Sequence, residues 1–122
     1  MVVIVDDHED TAWLYHEALN RLGFQTSYAL SAEEGWRAIL ESRACAVVVD
    51  FRMPQVNGLV FLKQLRADRR TRELPVVCVT GDAFAAIKPS ELHVWADEVL
   101  LKPCRPEEIA ACIWRAIRRL SN

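Results

Sequence analysis

Four short, almost wholly apolar runs punctuate the chain, and each stops at a residue suited to phosphoryl chemistry. Val2-Val3-Ile4-Val5 runs into Asp6-Asp7, Cys45-Ala46-Val47-Val48-Val49 into Asp50, Val76-Val77-Cys78-Val79 into Thr80, and Val99-Leu100-Leu101 into Lys102. Such short runs, rich in β-branched residues, predict strands; the Cys45–Val49 run is apolar enough to be covered on both faces. Between them apolar residues recur at helical spacing. Leu14, Tyr15, Ala18, Leu19 and Leu22 predict the inward face of a first helix, with Gly23 just past its end. Ala32, Trp36, Ile39 and Leu40 predict a second, opened by a Ser31–Glu34 capping box. Leu59, Leu62 and Leu65 predict a third, ending in a polar tail over residues 66–73. Ile109, Ile113, Ala116, Ile117 and Leu120 predict the last, begun by Pro106 in a favoured first position. Phe24 to Leu30 is half polar and predicts an edge strand. Strand and helix alternate from end to end, the mark of an α/β domain with a parallel sheet.

Residues 82–99 fit this rhythm least. Ala83 to Lys88 is helix-like, but Pro89 follows, and an interior proline costs a helix about 3 kcal/mol. A short, kinked or displaced helix is expected there, with Leu92 and Trp95 packing inward. The length of 122 residues predicts one domain, residues 1–122, with no output domain in this chain. A formal net charge of -2 gives no general attraction to nucleic acid. No apolar run approaches the ~18 residues of a membrane span, and no signal peptide precedes the first strand. Cys45, Cys78, Cys104 and Cys112 form no C-x-x-C pair, so they read as small hydrophobes in a reducing, cytoplasmic setting, with a disulfide or zinc site as the alternative.

In an open parallel sheet the strand ends on one edge face a common crevice where ligands bind. The four runs would bring three carboxylates, a hydroxyl and an ammonium together there. Asp6 and Asp7 repel unless a cation sits between them, and magnesium, which takes one or two carboxylates and keeps its waters, would resolve this. A helix cap or turn is the plainer reading of that pair. Asp50 ends the most apolar run, where an unpaired charge costs several kcal/mol, and an aspartate can act as a nucleophile toward phosphorus. Lys102 can neutralise a phosphoryl oxygen and Thr80 can donate to another. Phosphoryl transfer needs mainly positioning and charge neutralisation, so no histidine base is required. His8 reads as an exposed bystander near a helix start, His16 and His93 carry no signal, and Arg115, Arg118 and Arg119 read as a solvated helix end complementing the macrodipole.

With Val5-Asp6-Asp7, Asp50 followed by Met53-Pro54 and Gly58-Leu59, Thr80-Gly81 and Lys102-Pro103 in that order, the chain resembles the receiver domain of two-component response regulators over essentially its full length. The resemblance implies a single flavodoxin-like doubly wound domain: a five-stranded parallel sheet, order 2-1-3-4-5, with helices on both faces. It implies that Asp50 accepts a phosphoryl group from a histidine kinase or histidine-phosphotransfer protein in a Mg2+-dependent reaction. Asp7, Asp50 and the main-chain carbonyl of Arg52 match the magnesium ligands, and Asp6 the acidic residue that acts through a metal-bound water. Thr80 and Lys102 match the phosphoryl-sensing hydroxyl and the phosphoryl-binding lysine. The Lys102–Pro103 bond is often cis in such domains. They are signalling modules rather than enzymes, beyond catalysing their own aspartyl phosphorylation and dephosphorylation. The resemblance implies a downstream protein partner, leaves room for a homodimer, and gives no membrane or nucleic-acid role to this chain.

Three residues depart from the family pattern. Val99 stands where a switching Tyr or Phe is usual, Cys104 where a phenylalanine follows Lys-Pro, and Trp95 where a glycine commonly ends the fourth helix. Arg52 and Asp82, at variable positions beside Asp50, are expected to pair across the site mouth. A phosphohydrolase of the haloacid-dehalogenase type would want a second Asp two residues after its nucleophile, and Arg52 fills that place. A receiver-like module that binds partners without being phosphorylated is the remaining alternative.

Overall fold

The computed structural model describes residues 1–50, 58–81 and 91–120. The elements are β1 (Val2–Val5), α1 (Glu9–Arg21), β2 (Thr26–Ala29), α2 (Ala32–Ser42), β3 (Ala46–Asp50), α3 (Gly58–Ala67), β4 (Val76–Thr80), α4 (Glu91–Trp95), β5 (Glu98–Leu101) and α5 (Pro106–Leu120). The strands form one five-stranded sheet in the order β2-β1-β3-β4-β5, every neighbouring pair parallel. This is the expected order, with β2 at one edge and β5 at the other.

Alternation along the strands separates two cores. Val3, Val5, Val47, Val49, Val76 and Cys78 face a layer that includes Ile39, Phe61, Leu62 and Leu92, from α2, α3 and α4. Val2, Ile4, Ala46, Val48, Val77 and Val79 face Leu19 of α1 and Ile109, Cys112 and Ile113 of α5. Each central strand is therefore apolar up to its carboxyl end, where β3 stops at Asp50 and β4 at Thr80, because both faces are covered.

Local signals set the boundaries. Gly23 follows α1 with a φ of 100°, a conformation that disfavours residues with a Cβ. Ser31 Oγ accepts from Glu34 N at 3.1 Å, as the capping box requires. The Glu34 carboxylate returns to Leu30 N at 3.0 Å, one residue earlier than the motif's usual partner. Pro106 opens α5, and Glu108 reaches back to Arg105 N at 2.9 Å. Within the described residues α4 runs from Glu91 to Trp95, with Leu92 buried and Trp95 against the core. Pro89 and the Arg52–Asp82 pairing lie outside the described residues.

The α1 face differs from expectation. Ala12 and Leu19 are buried, whereas Leu14 is 58% and Leu22 43% exposed. Trp13-Leu14-Tyr15 offers three consecutive apolar residues, so periodicity alone leaves the helix free to turn. The stripe that meets the sheet and α5 runs through residues 12, 15 and 19. At the end of α5, Leu120 is exposed, while Cys112 joins the core. All four cysteines are free; Cys78 and Cys112 are buried, but Cys45 is exposed, because it precedes β3 rather than lying in it.

The arginines of α5 are more than a solvated end. Arg115 and Arg119 both pair with Glu98 of β5, and Arg119 donates to the Asp97 carbonyl at 2.7 Å. At the start of β4, Arg66 Nη2 and Val76 N both donate to Asp97 Oδ2, at 3.2 and 2.7 Å. Arg66 also donates to the carbonyls of Trp95 at 3.0 Å, Leu74 at 2.7 Å and Arg72 at 2.9 Å. One guanidinium thus ties the end of α3 to the lead-in of β4 and the end of α4.

Candidate functional site at the carboxyl edge of the sheet

Register brings the reactive strand ends together. Val5 pairs with Val49, so Asp6 and Asp50 are the next residues on adjacent strands. Asp50 pairs with Val79, which places Thr80 one step beyond it on β4. Thr80 pairs with Leu101, and Lys102 follows. Strand order reverses between β1 and β3, the point where open α/β sheets bind ligands.

Asp6 and Asp50 are both buried. Lys102 Nζ forms an ion pair with Asp50 Oδ2, and its main-chain N–H donates to the Thr80 carbonyl at 2.7 Å. Lys102 thus holds Asp50 with its side chain and β4 with its backbone. The Lys102–Pro103 bond is cis, as the resemblance implied. Thr80 is buried at the same edge, and Asp7 is exposed beside it.

Asp6 is the electrostatically strained member. Its Oδ1 accepts from His8 N at 2.9 Å, but its Oδ2 is buried with no hydrogen-bond partner. Burial, reinforced by the Asp50 carboxylate, pushes its pKa from 3.8 up to about 6, against the lowering effects of the His8 amide and Lys102. His8 is more than a bystander: it caps α1, its Nδ1 accepting from Thr11 N at 3.3 Å. The turn that aims Asp6 inward and the start of α1 are thereby one unit.

A buried carboxylate oxygen without a donor, next to a second carboxylate, is the environment a divalent cation satisfies. Among the described residues the Lys102 ammonium is bonded to Asp50, and Asp6 Oδ2 is left without a donor. Among the described residues no three His, Cys, Asp or Glu side chains are grouped so as to hold a metal by themselves. Magnesium takes one or two carboxylates and retains its waters, which fits the Asp6–Asp50 pair. The Arg52 carbonyl lies outside the described residues.

Beside Lys102 a cleft of about 440 Å³ is lined by Thr11, Tyr15, Pro103 and Cys104. Burial raises the Cys104 thiol above its ordinary range, which keeps it protonated. Tyr15 was expected on the inward face of the first helix, but Thr11 had no assigned role; their i,i+4 spacing on α1 was the available signal.

The sheet order, the switch point and the buried carboxylate–lysine group define a doubly wound α/β domain with its chemistry at the carboxyl edge. The response regulator receiver domain profile matches residues 2–113. The chain belongs to that family, the receiver domains of two-component signalling. The probable chemotaxis protein CheY of Rhizobium etli is 32% identical over 113 residues, covering 92% of this chain and 88% of that protein. The response regulator Rre1 of Synechocystis sp. is 30% identical over 119 residues, covering 97% of this chain but 52% of that protein. The crystal structure of a response regulator receiver domain protein from Clostridium thermocellum matches with a TM-score of 0.85 and 26% identity, covering 98% of this chain and 95% of that one. The chain thus spans most of one curated relative and about half of another. Among the described residues no helix is long and apolar enough to cross a membrane.

Proposed function

We propose that this domain accepts a phosphoryl group on Asp50 from the phosphohistidine of a histidine kinase or phosphotransfer protein, in a magnesium-dependent step. The observation that carries this reading is the buried Asp6–Asp50 pair with Lys102 on Asp50 and an unpartnered Asp6 Oδ2 beside it. Asp7, Asp50 and the Arg52 carbonyl would hold the magnesium, with Asp6 acting through one of its waters. Bound there, the ion would neutralise charge on the phosphoryl oxygens.

Asp50, its Oδ2 paired with Lys102, presents an oxygen to phosphorus; the O–P bond forms as the P–N bond of the donor breaks. Lys102 then exchanges its contact with the Asp50 carboxylate for one with a phosphoryl oxygen. Thr80, at the neighbouring strand end, donates its hydroxyl to another. The cleft walled by Thr11 and Tyr15 gives a donor side chain a path to this edge. Output runs through altered protein contacts, centred on the last two helices and β5. A cytoplasmic location accompanies this reading.

Incubation with a small phosphodonor and magnesium, read by intact mass, tests the proposal. The expected result is the mass gain of one phosphoryl group, absent without magnesium and absent in Asp50→Asn. No gain with either a small donor or a cognate kinase would make the domain a binding module that has lost phosphorylation.

A further inference from the structure

The opposite edge of the sheet carries a second feature that phosphorylation does not use. Two clefts, of about 430 and 530 Å³, open where the chain enters β3 and β4, and they share Ala44, Arg70 and Leu74. Both volumes fall within the ~300–1,000 Å³ of small-ligand sites. Arg43 lines the first, Arg69 and Arg72 the second, and Arg70 both. Among the described residues Glu73 is the one acidic residue lining either cleft. A chain of net charge -2 therefore gathers four guanidinium groups at one edge.

These arginines differ in how they are held. Arg70 is fixed by two bonds to Asp68, at 3.0 and 2.8 Å, and lies 5.8 Å from the Trp36 ring centre. Arg43, Arg69 and Arg72 make no side-chain hydrogen bond or ion pair among the described residues. Arg43 also adopts a left-handed backbone, φ 51°, at the end of α2, where glycine would be unstrained. Ile39 and Leu74 belong to the core behind the clefts, while Leu40 is half-buried at the first of them.

We propose that this edge binds a small phosphate-bearing organic anion. Its phosphates sit on Arg43, Arg69 and Arg72, since a guanidinium fork matches phosphate oxygens in pairs. Its apolar body lies against Leu40.

The test is titration of the isotope-labelled chain with ATP, without magnesium or phosphodonor, followed by amide NMR. Saturable shifts confined to residues 39–45 and 69–75 are expected, with pyrophosphate binding more weakly than ATP. Arg43→Gly and Arg72→Gln should each weaken binding about tenfold. Arg43→Gly removes the backbone strain, so lost binding cannot be put down to unfolding. The idea is overturned by the absence of localised shifts, by shifts that persist in the double variant, or by shifts from a glutamate-rich peptide but not from ATP. No phosphoryl transfer occurs in this assay, so its failure leaves the receiver reading intact.

Discussion

Asp6→Asn should make the metal-free domain more stable at neutral pH, although it alters a buried residue of the site. The Asp6 carboxyl titrates at about 6 in the folded state against 3.8 for the free group. A raised carboxyl pKa means that the folded state binds the proton more tightly than the unfolded chain. The associated stability is complete below pH ~3.8 and is lost as pH rises through ~6. At about 1.4 kcal/mol per unit the full difference is ~3 kcal/mol. Discounting for solvent at the open strand end leaves ~1–2 kcal/mol.

Asparagine removes this cost. Its carbonyl oxygen can still accept from His8 N, and its amide puts a donor where Oδ2 is now buried without a partner. Asp6→Asn should therefore gain ~1–2 kcal/mol over wild type at pH 7.5 without magnesium, which for a domain of this size raises Tm by roughly 3–8 °C. Near pH 3.5 the gap should close. Added magnesium should stabilise wild type by mass action and stabilise the variant less. Urea melts at both pH values, with and without magnesium, measure all four quantities. A variant less stable than wild type at pH 7.5 without metal, or a gap unchanged by pH, would refute the electrostatic account.

Three further outcomes follow from packing and charge. A Cβ at Gly35 would lie 2.6 Å from Val5 Cγ2, in a fully buried and stiff side chain, so the ~1 kcal/mol of helix propensity gained by Gly35→Ala is outweighed by ~1–3 kcal/mol of overpacking. Thermal melts should show net destabilisation that reverses in a Val5→Ala background. Asp97→Ala strands Val76 N and loosens Arg66, and chemical denaturation should show a loss of ~2–3 kcal/mol, with a smaller loss for Asp97→Asn. Burial alone would raise Glu98, but Arg115 and Arg119 outweigh it and hold its pKa below the usual range. Its stabilisation is thus present above pH ~4.5 and fades as pH falls through the folded pKa. Glu98→Gln should cost ~0.5–1 kcal/mol at pH 7 and steadily less in acid, as melts across pH will measure.

The strand ends were legible in the sequence because each rests on one local fact: a buried run must stop, and a polar residue that stops it lies at the sheet edge. Strand order came from resemblance, since parallel pairing leaves no signal in any single run. The α1 face was not legible, because Trp13-Leu14-Tyr15 satisfies several helical orientations and only the position of α5 selects one. The arginine clamp on Glu98 was hidden by distance: the partners are 17 and 21 residues apart, and a cluster at a helix end looks the same whether solvated or paired. His8 was hidden because imidazole is an uncommon cap, visible only once its ring meets Thr11 N.

The charge balance of the site was only half legible. Asp6, Asp50 and Lys102 could each be named from their strands, but not how one ammonium would divide between two carboxylates. The structure gives Lys102 to Asp50 and leaves Asp6 Oδ2 without a partner. That asymmetry matters for function. The imbalance falls on Asp6, the residue the family resemblance assigns to a water of the metal, so under the proposed function a cation would meet a buried carboxylate oxygen that has no donor among the described residues.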